Sequence, residues 1–186
     1  MNNCYRFKKI HLNGEPIFKS IDAIYIIHLE GNGRYDSILK KLSNMVPSKN
    51  VYILFNKGFK RCKKQDFIDV TNKDIVDSNL NIFYHSNEMN YENILILEDD
   101  FIFEDIDRTD SENIDKFMIK NKNKDISYLI GSLPIILIPT LDLDHWIGFF
   151  TVGMHSIICT KKYRNTILEI NQEEIKDWDR KDFFYI

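Results

Sequence analysis

The strongest constraint on the fold of this chain is a run of apolar residues that ends in three carboxylates, ILILEDD over residues 94–100. A short, continuous apolar run is typical of a strand buried on both faces of a sheet. Open α/β sheets bind ligands beyond the carboxyl ends of their strands, where Glu98, Asp99 and Asp100 would lie. The segment therefore predicts an α/β fold with an acidic site at one edge of the sheet.

Neighbouring carboxylates repel one another, and a divalent cation is the simplest partner that relieves the repulsion. Oxygen ligands suit Mg²⁺ or Mn²⁺. Side chains alternate along an extended backbone, so Glu98 and Asp100 should point together and Asp99 the other way, unless the turn rotates them. We predict Asp100 and Asp99 as metal ligands and Glu98 as a hydroxyl acceptor or an outer partner. A solvated acidic turn fits the local pattern equally well.

Length and charge narrow the classes of protein. A chain of 186 residues is expected to form a single domain over 1–186, and a net charge of −3 argues against nucleic acid as the main partner. The basic start has no apolar signal, and Gly131, Ser132, Pro134 and Pro139 interrupt the longest apolar stretch. We therefore expect no membrane span and a cytoplasmic location.

The cysteines favour a reducing compartment. Cys4, Cys62 and Cys159 are odd in number, and no two form a C-x-x-C pair. This argues against a zinc ribbon or a disulfide framework.

The order of apolar segments predicts alternating strands and helices. Strands are expected over 21–29, 51–55, 67–70, 94–97, 126–130, 135–138 and 149–159. Helices are expected around 35–45, around 71–83 with Thr71 or Asn72 as cap, around 114–118 and around 163–170, with a leader or edge hairpin over 1–20 and an exposed loop over 104–113. Alternation in the front half predicts parallel strands with right-handed crossovers, and so a mixed, mainly parallel sheet flanked by helices.

A glycine-rich turn, Gly31-Asn32-Gly33-Arg34, follows the first central strand and precedes a helix. Glycines let a ligand approach the backbone, and a helix N-terminus favours anions. The turn lacks the third glycine of the dinucleotide fingerprint and the Lys-Ser/Thr of a phosphate loop. Arg34 could contact a phosphate or a base edge, and an ordinary strand-to-helix turn is the alternative.

Three further features are weaker. Asp142 and Asp144 lie on one side of an extended backbone and could supply a general base, although a capping or solvated loop fits as well. His155 lies in a strand pattern, where a histidine is more often a hydrogen-bonded core residue than a ligand. The basic segment 56–64 could serve a partner, and a solvated loop is the simpler interpretation.

Three blocks together resemble glycosyltransferase family 25, which includes lipooligosaccharide and collagen galactosyltransferases. They are IDAIYIIHLEGNGR over 21–34, ILILEDD over 94–100 and VGMHSIICTKKYRNTIL over 152–168. The resemblance implies a Rossmann-like GT-A fold, a nucleotide-sugar donor such as a UDP-hexose, and Mn²⁺ or Mg²⁺ at the acidic motif. It implies inverting transfer to a glycan or protein acceptor.

The resemblance also implies roles for single residues. Asp100, Asp99 and Glu98 would bind metal and donor, Arg34 would lie near the donor nucleotide, and His155 would lie near the catalytic cleft. The base would be Asp144, Asp142 or Asp179.

The chain departs from the family in three ways: a turn poorer in arginine, no Ser-His pair early in the helix before the acidic strand, and an early end after Asp179 and Asp182. The early end favours a fragment or a C-terminal truncation relative to the family. If the source is viral, the expected location is the host cytoplasm. Two alternatives stay open: a degenerate glycosyltransferase-like binding module, and a nucleotidyltransferase or metal-dependent phosphohydrolase.

Overall fold

The computed structural model describes residues 3–102, 108–140 and 145–170, with the backbone path alone over 132–135 and 149–155. The strands are β1 (Tyr5–Ile10), β2 (Ala23–Leu29), β3 (Asn50–Asn56), β4 (Asn93–Glu98), β5 (Ser127–Pro139) and β6 (Trp146–Thr160). The helices are α1 (Tyr35–Ser43), α2 (Thr71–Glu88), α3 (Arg108–Lys120) and α4 (Lys161–Glu169). Within the described ranges no helix combines the length and the apolar character that crossing a membrane requires.

The strands form one mixed sheet in the order β1-β3-β2-β4-β6-β5. Strand β2 pairs in parallel with both β3 and β4. The pairings of β1 with β3, β4 with β6 and β5 with β6 are antiparallel. The predicted α/β class and the mixed sheet are confirmed, and the parallel character that was expected of most of the sheet is confined to its centre.

Helices cover both faces of the sheet because its central strands are apolar on both sides. On one face, Tyr25 and Ile96 pack in a buried cluster that includes Phe83 of α2 and Tyr163 of α4. On the other face, residues of α1 and α3 enter a second cluster with Ile26 and Leu97. These two clusters account for the continuous apolar runs in β2 and β4.

The chain reverses its winding direction between β2 and β4. From β2 the chain passes through α1 to β3 on one side of this pair of strands, whereas from β4 it passes on to α3 and β5, which lies on the other side. Connections that leave neighbouring parallel strands in opposite directions open a crevice at the carboxyl ends of those strands. In this protein the crevice lies between the ends of β2 and β4.

Four expectations about local structure are wrong. Residues 67–70 form a turn and not a strand, and α2 begins after Val70 without a side-chain cap from Thr71 or Asn72. Helix α3 already begins at Arg108, so 108–113 are not a loop, and residues 103–107 lie outside the described part. The two strands expected over 126–138 are one long strand that is interrupted by bulges.

The cysteine prediction also needs correction, because Cys4 and Cys62 form a disulfide across a sequence separation of 58 residues. The third cysteine, Cys159, is free and buried. Spacing alone did not indicate the pair, since the two residues meet only when β1 docks beside the segment that follows β3.

Replacing Cys62 by serine is expected to lower the free energy of unfolding by about 2–4 kcal/mol, because a crosslink over a long loop restricts the unfolded chain. Urea unfolding of the oxidised protein and of Cys62→Ser measures the difference. A dithiol added to Cys62→Ser serves as control and should change nothing. Equal stability of the oxidised and substituted proteins would contradict the expectation.

Candidate functional site

The candidate site lies in the crevice between the ends of β2 and β4. Strand β4 ends at Glu98, and the chain turns there, with the amide of Phe101 donating to the carbonyl of Glu98 at 3.1 Å. On β2, alternation places His28 on the same side as Ile24 and Ile26. The turn and the strand end thus bring Asp99 and His28 together, although 71 residues separate them.

Asp99 is a buried carboxylate with three side-chain partners. Its Oδ2 accepts from Asn32 Nδ2 at 2.5 Å and lies 3.1 Å from His28 Nδ1. Its Oδ1 accepts from Arg34 Nη1 at 2.7 Å. With 8% of the side chain exposed, this carboxylate is held in one orientation by the protein itself.

The charge of Asp99 is stabilised in place. Burial alone would raise the pKa of Asp99, but the hydrogen bonds from Arg34, Asn32 and His28 outweigh it and hold the pKa below its usual value. In return, the hydrogen bond and the charge of Asp99 raise the pKa of the Arg34 guanidinium. Both groups are therefore charged at neutral pH.

The lowered pKa of Asp99 predicts a loss of stability in acid. A carboxyl group with a lower pKa in the folded state stabilises the fold above its unfolded pKa of about 4, and this contribution is lost as the pH falls through the folded pKa. The difference in unfolding free energy between wild type and Asp99→Asn should be constant from about pH 8 to pH 5 and shrink below about pH 4. Urea titrations across this range measure it, and a pH-independent difference would contradict the assignment.

The glycine-rich turn aims two of the partners at Asp99. Gly31 and Gly33 have φ angles of +81° and +79°, a backbone conformation that residues other than glycine rarely adopt. Between them, the side chain of Asn32 accepts from the amide of Arg34 at 3.0 Å and donates to Asp99. The turn therefore fixes Asn32 and Arg34 as one unit at the start of α1.

Asp100 shares the arginine with Asp99. Its Oδ2 lies 3.4 Å from Arg34 Nη1, and 49% of its side chain is exposed. The turn after β4 thus brings Asp99 and Asp100 to one guanidinium, which is the foreseen exception to strict alternation. Glu98 remains in the strand beside Ile27 and is partly buried.

The carboxylate oxygens at this edge of the sheet are suitable ligands for a hard cation. Asp99 and Asp100 offer carboxylate oxygens, and Mg²⁺ is commonly bound by one or two carboxylates together with phosphate oxygens of a ligand. Among the described residues no three His, Cys, Asp or Glu side chains form a group that could hold a metal ion. In the structure, Arg34 provides the positive charge next to both carboxylates.

The other predicted site residues are placed only in part or not at all. Asp142, Asp144 and Asp179 lie outside the described residues. The backbone of His155 lies on β6, directly before Ser156, which pairs with Leu97 of the antiparallel strand β4. This register places His155 at the level where β4 ends, and its side chain is not among those described.

Two residues of the site were missed from the sequence, namely His28 and Asn32. The only signal for His28 was its position at the end of an apolar strand with period-two alternation. For Asn32 the signal was its position between two glycines that bend the chain toward the sheet edge.

The basic segment 56–64 was expected to be a solvated loop, but one of its lysines, Lys64, is buried. Lys60, Arg61 and Lys63 are exposed, whereas Lys64 is buried and paired with Asp74 of α2.

Neither the scan against protein-family models nor the search of curated proteins found a match to this chain.

Proposed function

We propose that this protein is a glycosyltransferase with a GT-A-like fold, which transfers a hexose from a UDP-sugar to a glycan or protein acceptor with Mn²⁺ or Mg²⁺. One observation carries the proposal: the acidic pair Asp99 and Asp100 and the cation of Arg34 lie together where the winding of the sheet reverses. Ligands of open α/β sheets bind at such points. The motif resemblance supplies the choice of a nucleotide sugar.

Each residue has a defined task in the proposed reaction. Asp100, which is half exposed, and Asp99 would hold the cation, and Arg34 would turn its exposed guanidinium to the diphosphate. When bound, the cation would supply Lewis-acid stabilisation of the departing nucleotide diphosphate. His28 and Asn32 keep the Asp99 carboxylate oriented.

The remaining roles follow the resemblance. Glu98 would accept a donor hydroxyl, and His155 would line the donor cleft. Asp144, Asp142 or Asp179 would take the proton of the acceptor hydroxyl as its oxygen attacks the anomeric carbon, which inverts the configuration.

A second candidate is a degenerate binding module of the same fold. It is favoured by the fact that Arg34 already contacts both carboxylates. Such a module would bind a nucleotide sugar without transferring the sugar, or would bind no nucleotide.

Calorimetric titration tests the proposal with UDP, UDP-galactose, UDP-glucose and GDP-mannose, each with and without Mn²⁺. We expect manganese-dependent binding of one UDP-sugar, loss of that binding in Asp100→Ala, and wild-type binding in the control Asp66→Ala, whose aspartate is exposed beside Lys63. Incubation with that UDP-sugar and candidate acceptors should release UDP. Release of pyrophosphate or phosphate would instead indicate a nucleotidyltransferase or a phosphohydrolase, and no binding at all would overturn the proposal.

A further inference from the structure

The disulfide lies next to the contacts that support the candidate site. Cys4 is fully buried at the start of the chain, and Cys62 is partly exposed within residues 57–64, here called the clamp segment. The disulfide ties the middle of the clamp segment to the residue preceding β1. The neighbour of Cys62 along the chain, Arg61, reaches the glycine-rich turn.

Arg61 makes two contacts that matter for the turn. Its Nη2 donates to the carbonyl of Glu30, and its Nη1 lies so close to Gly31 that a Cβ there would be 2.8 Å from it. Its Nε donates to the carbonyl of Lys57 at 3.0 Å, which keeps the side chain extended along the clamp segment. The guanidinium therefore packs on the residue that opens the turn carrying Asn32 and Arg34.

The clamp segment is anchored differently at its two ends and in its middle. At one end, the amide of Gly58 donates to Asn56 Oδ1 at 2.7 Å. At the other end, Lys64 is held by Asp74. In the middle, the disulfide and the guanidinium of Arg61 join the segment to the start of the chain and to the turn. Opening the disulfide thus removes the covalent tie beside Arg61 and leaves both end anchors in place.

We propose that the Cys4–Cys62 disulfide is a redox-sensitive clamp, and that its reduction loosens the Gly31–Gly33 turn and with it the grip of Asn32 and Arg34 on Asp99. The reductant is a dithiol. One of its thiolates attacks Sγ of the partly exposed Cys62, the S–S bond breaks, and Cys4 leaves as a thiolate that takes up a proton. The second thiol of the reductant then displaces Cys62, which gives two protein thiols and one oxidised reductant.

Hydrogen exchange tests the clamp in the protein without nucleotide, so the result does not depend on the proposed function. With dithiothreitol, the backbone amides of residues 30–34 should exchange about tenfold faster than in the oxidised protein through local opening. The comparison uses labelling times at which the amides of β2 and β4, which exchange by global unfolding, have not yet exchanged in either state. Cys62→Ser should show the same exchange without reductant and should not respond to dithiothreitol. Arg61→Met should show faster exchange at 30–34 with the disulfide intact.

Three outcomes would overturn the proposal. The first is a reduced protein with unchanged exchange at residues 30–34, and the second is a disulfide that dithiothreitol does not open under native conditions. The third is exchange at residues 30–34 that occurs only together with exchange of the central strands in both the oxidised and the reduced protein, which would make the disulfide a global stabiliser without a specific link to the turn. Unchanged exchange in Arg61→Met, with faster exchange in Cys62→Ser, would contradict the assigned role of Arg61.

Discussion

Lys64→Met is expected to lower the free energy of unfolding by about 3–5 kcal/mol, which is the range for removing one partner of a buried ion pair. The Lys64 side chain is 1% exposed and donates to Asp74, to Tyr5 Oη and, at 2.9 Å, to Asn56 Oδ1. A second carboxylate, Asp77, lies 3.8 Å from the ammonium group. Without the lysine, buried negative charge would have no compensating cation.

The effect of this substitution should depend on pH. Burial raises the pKa of Asp77, and Tyr5 and Lys64 oppose that rise. Removing the ammonium group would raise the pKa of Asp77 further in the folded state. Folded carboxyl groups with raised pKa values bind protons that the unfolded chain releases, so the stability of Lys64→Met should fall as the pH rises from about 5 to 8.

Urea unfolding followed by circular dichroism measures this change. Lys63→Met is a matched control, because the neighbouring lysine is 88% exposed and its removal should change stability by about 0.5 kcal/mol or less. The double variant Lys64→Met/Asp74→Asn should recover part of the loss. A Lys64→Met protein as stable as Lys63→Met would show that the buried cluster does not hold the clamp segment.

The central strands and the location of the site could be predicted from the sequence, because both depend on local patterns. Apolar runs gave β2 and β4, and the order of elements gave the parallel centre. Carboxylates that directly follow an apolar run must lie at the end of its strand, and the glycine-rich turn must lie at the end of β2. Topology then brings the two ends together.

The partners within the site could not be predicted, because they are set by contacts between distant residues. Asn32 lies 67 residues before Asp99, and nothing in either segment specifies the other. The sequence around Lys64 does not distinguish it from the other lysines of the basic segment, because its partner Asp74 lies on α2. Arg164 is similar: its helix was predicted, but its fully buried guanidinium donates to the carbonyls of Tyr91 and Glu92, in the connection between α2 and β4, and of Cys159 in β6.

The early start of α3 escaped detection for a different reason. The first turns of this helix bury few side chains, so residues 108–113 have the polar composition of a loop. Ser111 is buried there, with its hydroxyl donating to the carbonyl of Arg108 at 2.9 Å. Such a polar start carries no apolar periodicity for a sequence pattern to detect.

Asp99→Ala and Asp100→Ala are expected to separate folding from ligand binding. Asp99 is nearly enclosed, and its loss would leave the donors of His28 and Asn32 without an acceptor, so the unfolding free energy should fall by about 1–3 kcal/mol. Asp100 is half exposed and 3.4 Å from Arg34, so its loss should change stability by about 0.5 kcal/mol or less.

Under the proposed function, both substitutions should weaken manganese-dependent binding of the UDP-sugar by about a hundredfold or more, since even the outer partners of metal ligands contribute about 10–100-fold. Urea unfolding and calorimetry on the same preparations give the two quantities, with Asp66→Ala as the control for each. Strong binding in Asp100→Ala would remove this residue from the metal site. Wild-type stability in Asp99→Ala would show that the network of His28, Asn32 and Arg34 does not depend on the carboxylate. If both variants lose binding and only Asp99→Ala loses stability, then Asp99 supports the fold and the ligand together, while Asp100 is available to the ligand alone.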